Sequence, residues 1–212
     1  MNFGRRFSET PQVVLNLIIL NTLIFFAQES FGGLSDNSHI YDLFALHHYR
    51  SDVFRPYQLI THMFLHGSFG HLFFNMFGLW MFGSVMERIW SPKKFITFYL
   101  LCGIIAGLTQ MANYAYDFWQ IDHSVLYPED FIQYQKAMRM NATVGASGAI
   151  MGVLVAYGFL FPDTEMIIFP IPVPIKAKWA IIGIVALDFF GGISDTANDN
   201  VAHFAHIGGA IA

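Results

Sequence analysis

Ser147 stands between two glycines in the stretch Val144-Gly145-Ala146-Ser147-Gly148-Ala149-Ile150-Met151-Gly152, at the start of an apolar run. Little side-chain bulk crowds its hydroxyl or the neighbouring backbone N–H groups there. A serine so placed can be a nucleophile with an oxyanion site beside it, provided another part of the chain delivers a base. Taken alone, the string reads more simply as packing, because small residues line helix contacts in membranes. Two further groups supply what the serine lacks. His71 and Asn75 stand four residues apart, and His206 lies in Ala202-His203-Phe204-Ala205-His206-Ile207-Gly208-Gly209. The chemistry needs all three groups in one place, so the question passes to the elements that carry them.

Composition fixes the setting of those elements. Of 212 residues, 55% are hydrophobic and 12% charged, against about 25% charge in soluble domains. This is the composition of a membrane protein. The single cysteine, Cys102, excludes an intramolecular disulfide, and the net charge of −4 gives no basic surface for nucleic acid. Arg5 and Arg6 precede an apolar run from Val13 to Ala27, which Asn16, Asn21 and Thr22 interrupt. Ala27-Gln28-Glu29 is a poor cleavage site, so the run reads as a retained first span.

Six apolar segments follow the length rule of about 20 residues per bilayer crossing, near residues 12–28, 68–88, 94–115, 144–161, 179–194 and from 201. The expectation is one all-α integral membrane domain over residues 1–212, a six-helix bundle whose sixth span stops short at Ala212. That last segment has about 12 residues, roughly 18 Å of helix, against a hydrocarbon core of about 30 Å. Alternate connections hold Arg5, Arg6, Arg88, Lys93, Lys94, Lys176 and Lys178, seven of the eleven basic residues. By the positive-inside rule the N-terminus is cytoplasmic, and residues 29–67, 116–143 and 195–200 face outward. The membrane expected is a bacterial plasma membrane. Residues 29–67 mix histidine, tyrosine and phenylalanine, which suits an element lying in the interface. Residues 116–143 form an outer cap with a short helix around Phe131 to Met140, and Phe169-Pro170-Ile171-Pro172-Val173-Pro174 must be extended.

Spans two, four and six all enter from the outer face, and each carries its polar residues in its first turns. Ser147, His206, His71 and Asn75 therefore lie at similar depth, where polar groups are costly and are functional candidates by default. Ser147 is the candidate nucleophile and His206 the base that takes its proton and returns it to the leaving amine. Asn75, His71 and the Ser147 backbone N–H are the candidate oxyanion donors. No acid stands out to orient His206, since Asp195 and Asp199 lie in the outer loop and Asp188 further along the fifth span. A Ser–His dyad is therefore expected, with Asp188 in a hydrogen-bonding role within the bundle. His203, three residues before His206, is expected to point about 60° or more away from it.

At these motifs the chain resembles the rhomboid intramembrane serine proteases: His-x-x-x-Asn in the second span, Gly-x-Ser-Gly in the fourth, Ala-His-x-Gly-Gly in the sixth, and the Glu87-Arg88 pair ending the second. The resemblance covers about residues 55–212. It implies a six-helix core, a water-accessible cavity open to the outer side, a mobile cap, and cleavage of single-pass transmembrane substrates near their outer ends without a cofactor. It also implies Ser147 and His206 as the dyad and Asn75 and His71 as oxyanion residues. Met151 departs from it, standing where many relatives have a tyrosine stacked on the catalytic histidine; so does Phe54-Arg55 in place of a Trp-Arg pair. Two other functions compete. One is a non-proteolytic membrane chaperone of the same fold, whose usual sign, a lost serine or histidine, is absent. The other is a transporter or metal channel built on His62, His66 and His71, but no carboxylate or cysteine completes a tetrahedral set. Those histidines more simply bond backbone carbonyls.

Overall fold

The computed structural model describes residues 10–33, 39–122, 136, 138–167, 173–193 and 201–212. The described residues are mostly helical, with α1 at Gln12–Ser30, α2 at His39–Phe44, α3 at Gln58–Thr61 and α4 at Phe69–Gly78. A π-helical turn, Leu79–Gly83, joins α4 to α5 at Ser84–Trp90. Then come α6 at Pro92–Asp122, α7 at Ser147–Leu160, α8 at Ala177–Ile193 and α9 at His203–Ile211. Among the described residues, three helical stretches are long and apolar enough to cross a membrane: Gln12–Ser30, Phe69–Trp90 and Pro92–Asp117. The protein is an integral membrane protein.

Its surface shows why the helices read as apolar all round. Leu23, Phe26, Phe73, Phe77, Trp80, Leu101 and Leu108 are exposed, which suits lipid rather than water. Inward, Val14, Leu79, Met86, Phe95, Tyr99, Cys102 and Val153 are wholly buried in one core that joins α1, the second apolar stretch, α6 and α7. A second cluster around Met151, Leu154, Ala177 and Ile181 fastens α8 to α7.

Buried polar groups tie the helix ends. Glu87, 3% exposed, accepts from the backbone N–H groups of Val13 at 3.0 Å and Val14 at 2.8 Å. These are orphan donors of the first turn of α1, whose N-cap residue, Pro11, offers no side-chain hydrogen bond. Gln28 at the other end of α1 donates to the carbonyl of His66 and accepts from its backbone N–H. Between α2 and α4, the buried Gln58 side chain donates to the carbonyls of Asp42, Leu43 and Val53, so this segment is a packed element rather than a free loop.

The two ends of the bundle differ. At one end, Leu46 and Thr143 exchange backbone hydrogen bonds and the Tyr41 hydroxyl donates to the carbonyl of Met140. The segments expected to face outward thus meet each other. At the other end, Glu165–Met166 and Ile175–Lys176 pair antiparallel as β1 and β2, with Asp163 bridging Lys176 and Lys178 at 3.2 and 2.9 Å. The Pro-rich connection between these strands lies largely outside the described residues, as does most of the expected cap helix, of which residues 138–140 are helical.

Candidate active site

Ser147 is the first residue of α7, and a backbone strap holds it in place. Thr143 pairs with Leu46, and the Gly145 N–H donates to the carbonyl of His62 at 2.9 Å. Gly145 has φ +125°, a conformation open to glycine and strained for other residues. A Cβ there would also meet the His71 ring at 2.7 Å. The residue two before the serine is therefore glycine for two independent reasons, conformation and space.

His206 reaches the same point because α7 and α9 touch backbone to backbone. A Cβ on Gly209 would fall on the carbonyl of Gly148, and one on Gly152 would lie 2.7 Å from the carbonyl of Gly209. The small residues that the sequence offered as a packing motif do pack, and that packing is what delivers the histidine. His206 Nε2 lies 2.7 Å from Ser147 Oγ.

The second polar pair arrives from α4. Ser68 caps this helix, its hydroxyl accepting from the His71 N–H at 3.1 Å. The Gly67 N–H donates to His71 Nδ1 at 3.3 Å. A ring nitrogen that accepts leaves the proton on its partner, so His71 Nε2 carries N–H on the side facing Gly145. Asn75, one turn on, is 7% exposed, and its Nδ2 has no hydrogen-bond partner among the described residues. A buried donor left unmet costs about 1–3 kcal/mol, so this amide is poised for an acceptor that arrives from outside. Ser147, His206, His71 and Asn75 all line one cavity of about 860 Å³. Gly67, Ser68, Asn141, Ala142, Val201 and Ala202 also line it, so it lies at the end of the bundle where the segments expected to face outward gather.

All four site residues expected from the sequence are thus brought together. Two residues were not expected there. Asp188 Oδ1 lies 2.9 Å from His206 Nδ1 and 2.8 Å from His203 Nδ1. Asp188 thus has the hydrogen-bonding role within the bundle expected of it, but the expectation that no acid attends His206 is corrected; His203, offset round the helix from His206, meets the same carboxylate oxygen. The fifth apolar segment runs toward the end of the bundle that holds the cavity, so its residue 188 lies near the end where the serine sits. Residues three apart on a helix are neighbours on its surface, so His203 and His206 reach one carboxylate. The signal available in the sequence was a lone acid inside an apolar span, with Gly191-Gly192 one turn later to admit another helix.

The other histidines have different surroundings. His62 Nδ1 donates to the carbonyl of Gln58 at 2.8 Å, and burial pushes its pKa down to about 4. His66 is fully buried with its ring 5.1 Å from that of His71; burial first, and His71 second, push it down to about 3. Among the described residues, no group of three or more histidine, cysteine or acidic side chains is arranged to hold a metal. Met151 packs with Leu154 and Ile181 in the cluster between α7 and α8.

The sequence is similar to those of known proteins. Residues 53–212 match the family model of the rhomboid domain. The chain is 29% identical over 153 residues to "Rhomboid protein 1, mitochondrial" of Saccharomyces cerevisiae, covering 72% of this chain and 38% of that protein. It is 28% identical over 207 residues to "Rhomboid protease AarA" of Providencia stuartii, covering 94% of this chain and 69% of the relative. With "Rhomboid protease GluP" of Bacillus subtilis it shares 27% over 201 residues, covering 95% of this chain and 33% of the relative. These relatives include mitochondrial as well as bacterial proteins, so the expected bacterial plasma membrane gains no support from them. With its match running over most of the length and its polar groups on the helices that carry the motifs, this chain belongs to the rhomboid family.

Proposed function

We propose that the protein is an intramembrane serine endopeptidase that cleaves transmembrane segments of single-pass membrane proteins near the outer face of the bilayer. The observation that carries this reading is the 2.7 Å contact between Ser147 Oγ and His206 Nε2 in a cavity where Asn75 Nδ2 lacks an acceptor among the described residues. In this reading α7, α8 and α9 complete a six-helix bundle, and the cavity opens to the outer side. Its natural partners are the substrate helix and the lipid from which that helix enters.

The reaction follows from the groups present. His206 Nε2 takes the Ser147 proton as Oγ attacks the scissile carbonyl. Negative charge then develops on the carbonyl oxygen, where Asn75 Nδ2, His71 Nε2–H and the Ser147 N–H can donate. The Ser147 N–H is available because the first N–H groups of a helix lack acceptors within it. His206 returns the proton to the leaving amine, and water then resolves the acyl-enzyme by the same route. A helical peptide bond hides its carbonyl, so the substrate must unwind locally before attack.

The test is reconstitution in bilayers with a fluorescent transmembrane substrate. Wild type should cleave it and take up a fluorophosphonate at Ser147, while Ser147→Ala and His206→Ala should do neither. Cleavage that survives in Ser147→Ala overturns the serine mechanism. A folded wild type that neither cleaves nor labels is a client-binding protein instead.

A further inference from the structure

We propose that Asp188 is a positioning residue for His206, and that His203 holds Asp188 in place through the same carboxylate oxygen. Together they extend the Ser–His pair into a chain that runs His203, Asp188, His206, Ser147. The assignment rests on the serine-protease reading above.

The argument begins with what a carboxylate can do. It has acceptors and no donors when ionised, so a ring nitrogen 2.8 or 2.9 Å from Asp188 Oδ1 must present an N–H. A neutral imidazole with its proton on Nδ1 has its lone pair on Nε2. For His206 that lone pair faces Ser147 Oγ at 2.7 Å. The alternative tautomer would set the His206 Nδ1 lone pair against a carboxylate and leave Nε2 unable to accept the serine proton. Asp188 therefore selects the tautomer that works as a base. When the proton leaves Ser147, it forms an imidazolium whose Nδ1–H is already bonded to Asp188 and whose Nε2–H faces the reaction. Asp188 stays ionised throughout, and the proton passes on to the leaving amine.

The carboxylate could instead be only a buried charge seeking a partner, since acids within spans are nearly always paired. The backbone around it favours the positioning role. A Cβ on Gly191 would lie 2.7 Å from His203 Cε1 and one on Gly192 3.2 Å from the Phe204 ring. Asp188, Gly191 and Gly192 share one face of α8, so the glycines let α9 approach closely enough for a short aspartate to span the gap. Its side chain is 13% exposed, against 16% for His203 and 17% for His206. The rings and the acid are thus screened together, and neither histidine is a solvated bystander.

Two readouts test the role, and one needs no catalysis. In protein labelled with 15N-histidine and reconstituted in bilayers, His206 should give a protonated Nδ1 and an unprotonated Nε2, assigned by loss of the signals in His206→Ala. Asp188→Asn should shift that tautomer and lower kcat by about 100-fold or more, with KM changed less than about twofold. Gly191→Ala, whose new methyl would meet the His203 ring first, should lower kcat by a smaller factor. A wild-type His206 protonated on Nε2 overturns the proposal even if Asp188→Asn fails to fold. So does a folded Asp188→Asn with unchanged kcat. If wild type cleaves nothing, the protease reading fails by itself and the tautomer measurement still decides what Asp188 does.

Discussion

The Asn75 amide is the group whose removal separates chemistry from folding most cleanly. Among the described residues its Nδ2 has no hydrogen bond to lose, though the residue is buried and lines the cavity. Loss of one oxyanion donor typically lowers kcat by about 100-fold to 1,000-fold. Asn75→Ala should therefore fall in that range in the fluorescent assay, while its thermal midpoint in detergent stays close to wild type. His62 and His66 make the opposite case, since they act on stability. Burial depresses both below the ordinary histidine value, to about 4 and about 3. The unfolded chain then binds more protons than the folded one below about pH 6.5. Stability should be full above that pH and decline as pH falls toward about 4, by on the order of 3 kcal/mol for His62 alone. Thermal unfolding in detergent at pH 7.5, 6 and 5 checks this, and His66→Phe should flatten the dependence.

Helix ends and helix contacts govern the next scale. Glu87 closes the first turn of α1 from across the bundle with both carboxylate oxygens. A carboxylate near a helix N-terminus also faces the positive end of the helix dipole. Glu87→Gln keeps the volume but turns one acceptor into a donor, so one N–H loses its partner. The expected cost is about 1–3 kcal/mol, read as a lower unfolding midpoint with Ser147 still reactive in the fraction that stays folded. Gly209→Val should do the reverse. Its side chain would strike the Gly148 backbone and part α7 from α9, so fluorophosphonate labelling of Ser147 should drop at least tenfold. Labelling at the wild-type rate would mean that the α7–α9 contact does not set the Ser147–His206 distance.

On the scale of the whole molecule, the two ends carry different chemistry. One gathers the cavity with Leu46, Thr143, Tyr41 and Met140, and the other holds the β1–β2 pair with its lysines. Lys93 and Lys94 stand near the break between α5 and α6. The orientation proposed from charge puts these lysines on the inner side and the cavity on the outer. Cysteines introduced at Asn141 and Lys93 should therefore react with a membrane-impermeant thiol reagent from opposite sides of sealed, oriented vesicles. Cys102 is buried and should stay silent. Labelling of both positions from one side would refute the topology.

By itself the sequence determined the membrane setting, the approximate helix positions and the four residues that meet at the cavity. It could do so because apolar length and polar intrusion are local properties, and because three short motifs fell on apolar segments of matching direction. Only the tertiary structure decided which face of α8 met α9. A span that is apolar on every side carries no periodic signal of its neighbours, so the partner of Asp188 was hidden until the glycines beside it were seen packed against His203 and Phe204. The same holds for Gly145, whose need for a positive φ and for room beside His71 comes from the strap that ties it to His62. Composition made this a membrane protein, whereas close backbone contacts between α7, α8 and α9 decided that a serine, two histidines and an acid share one site.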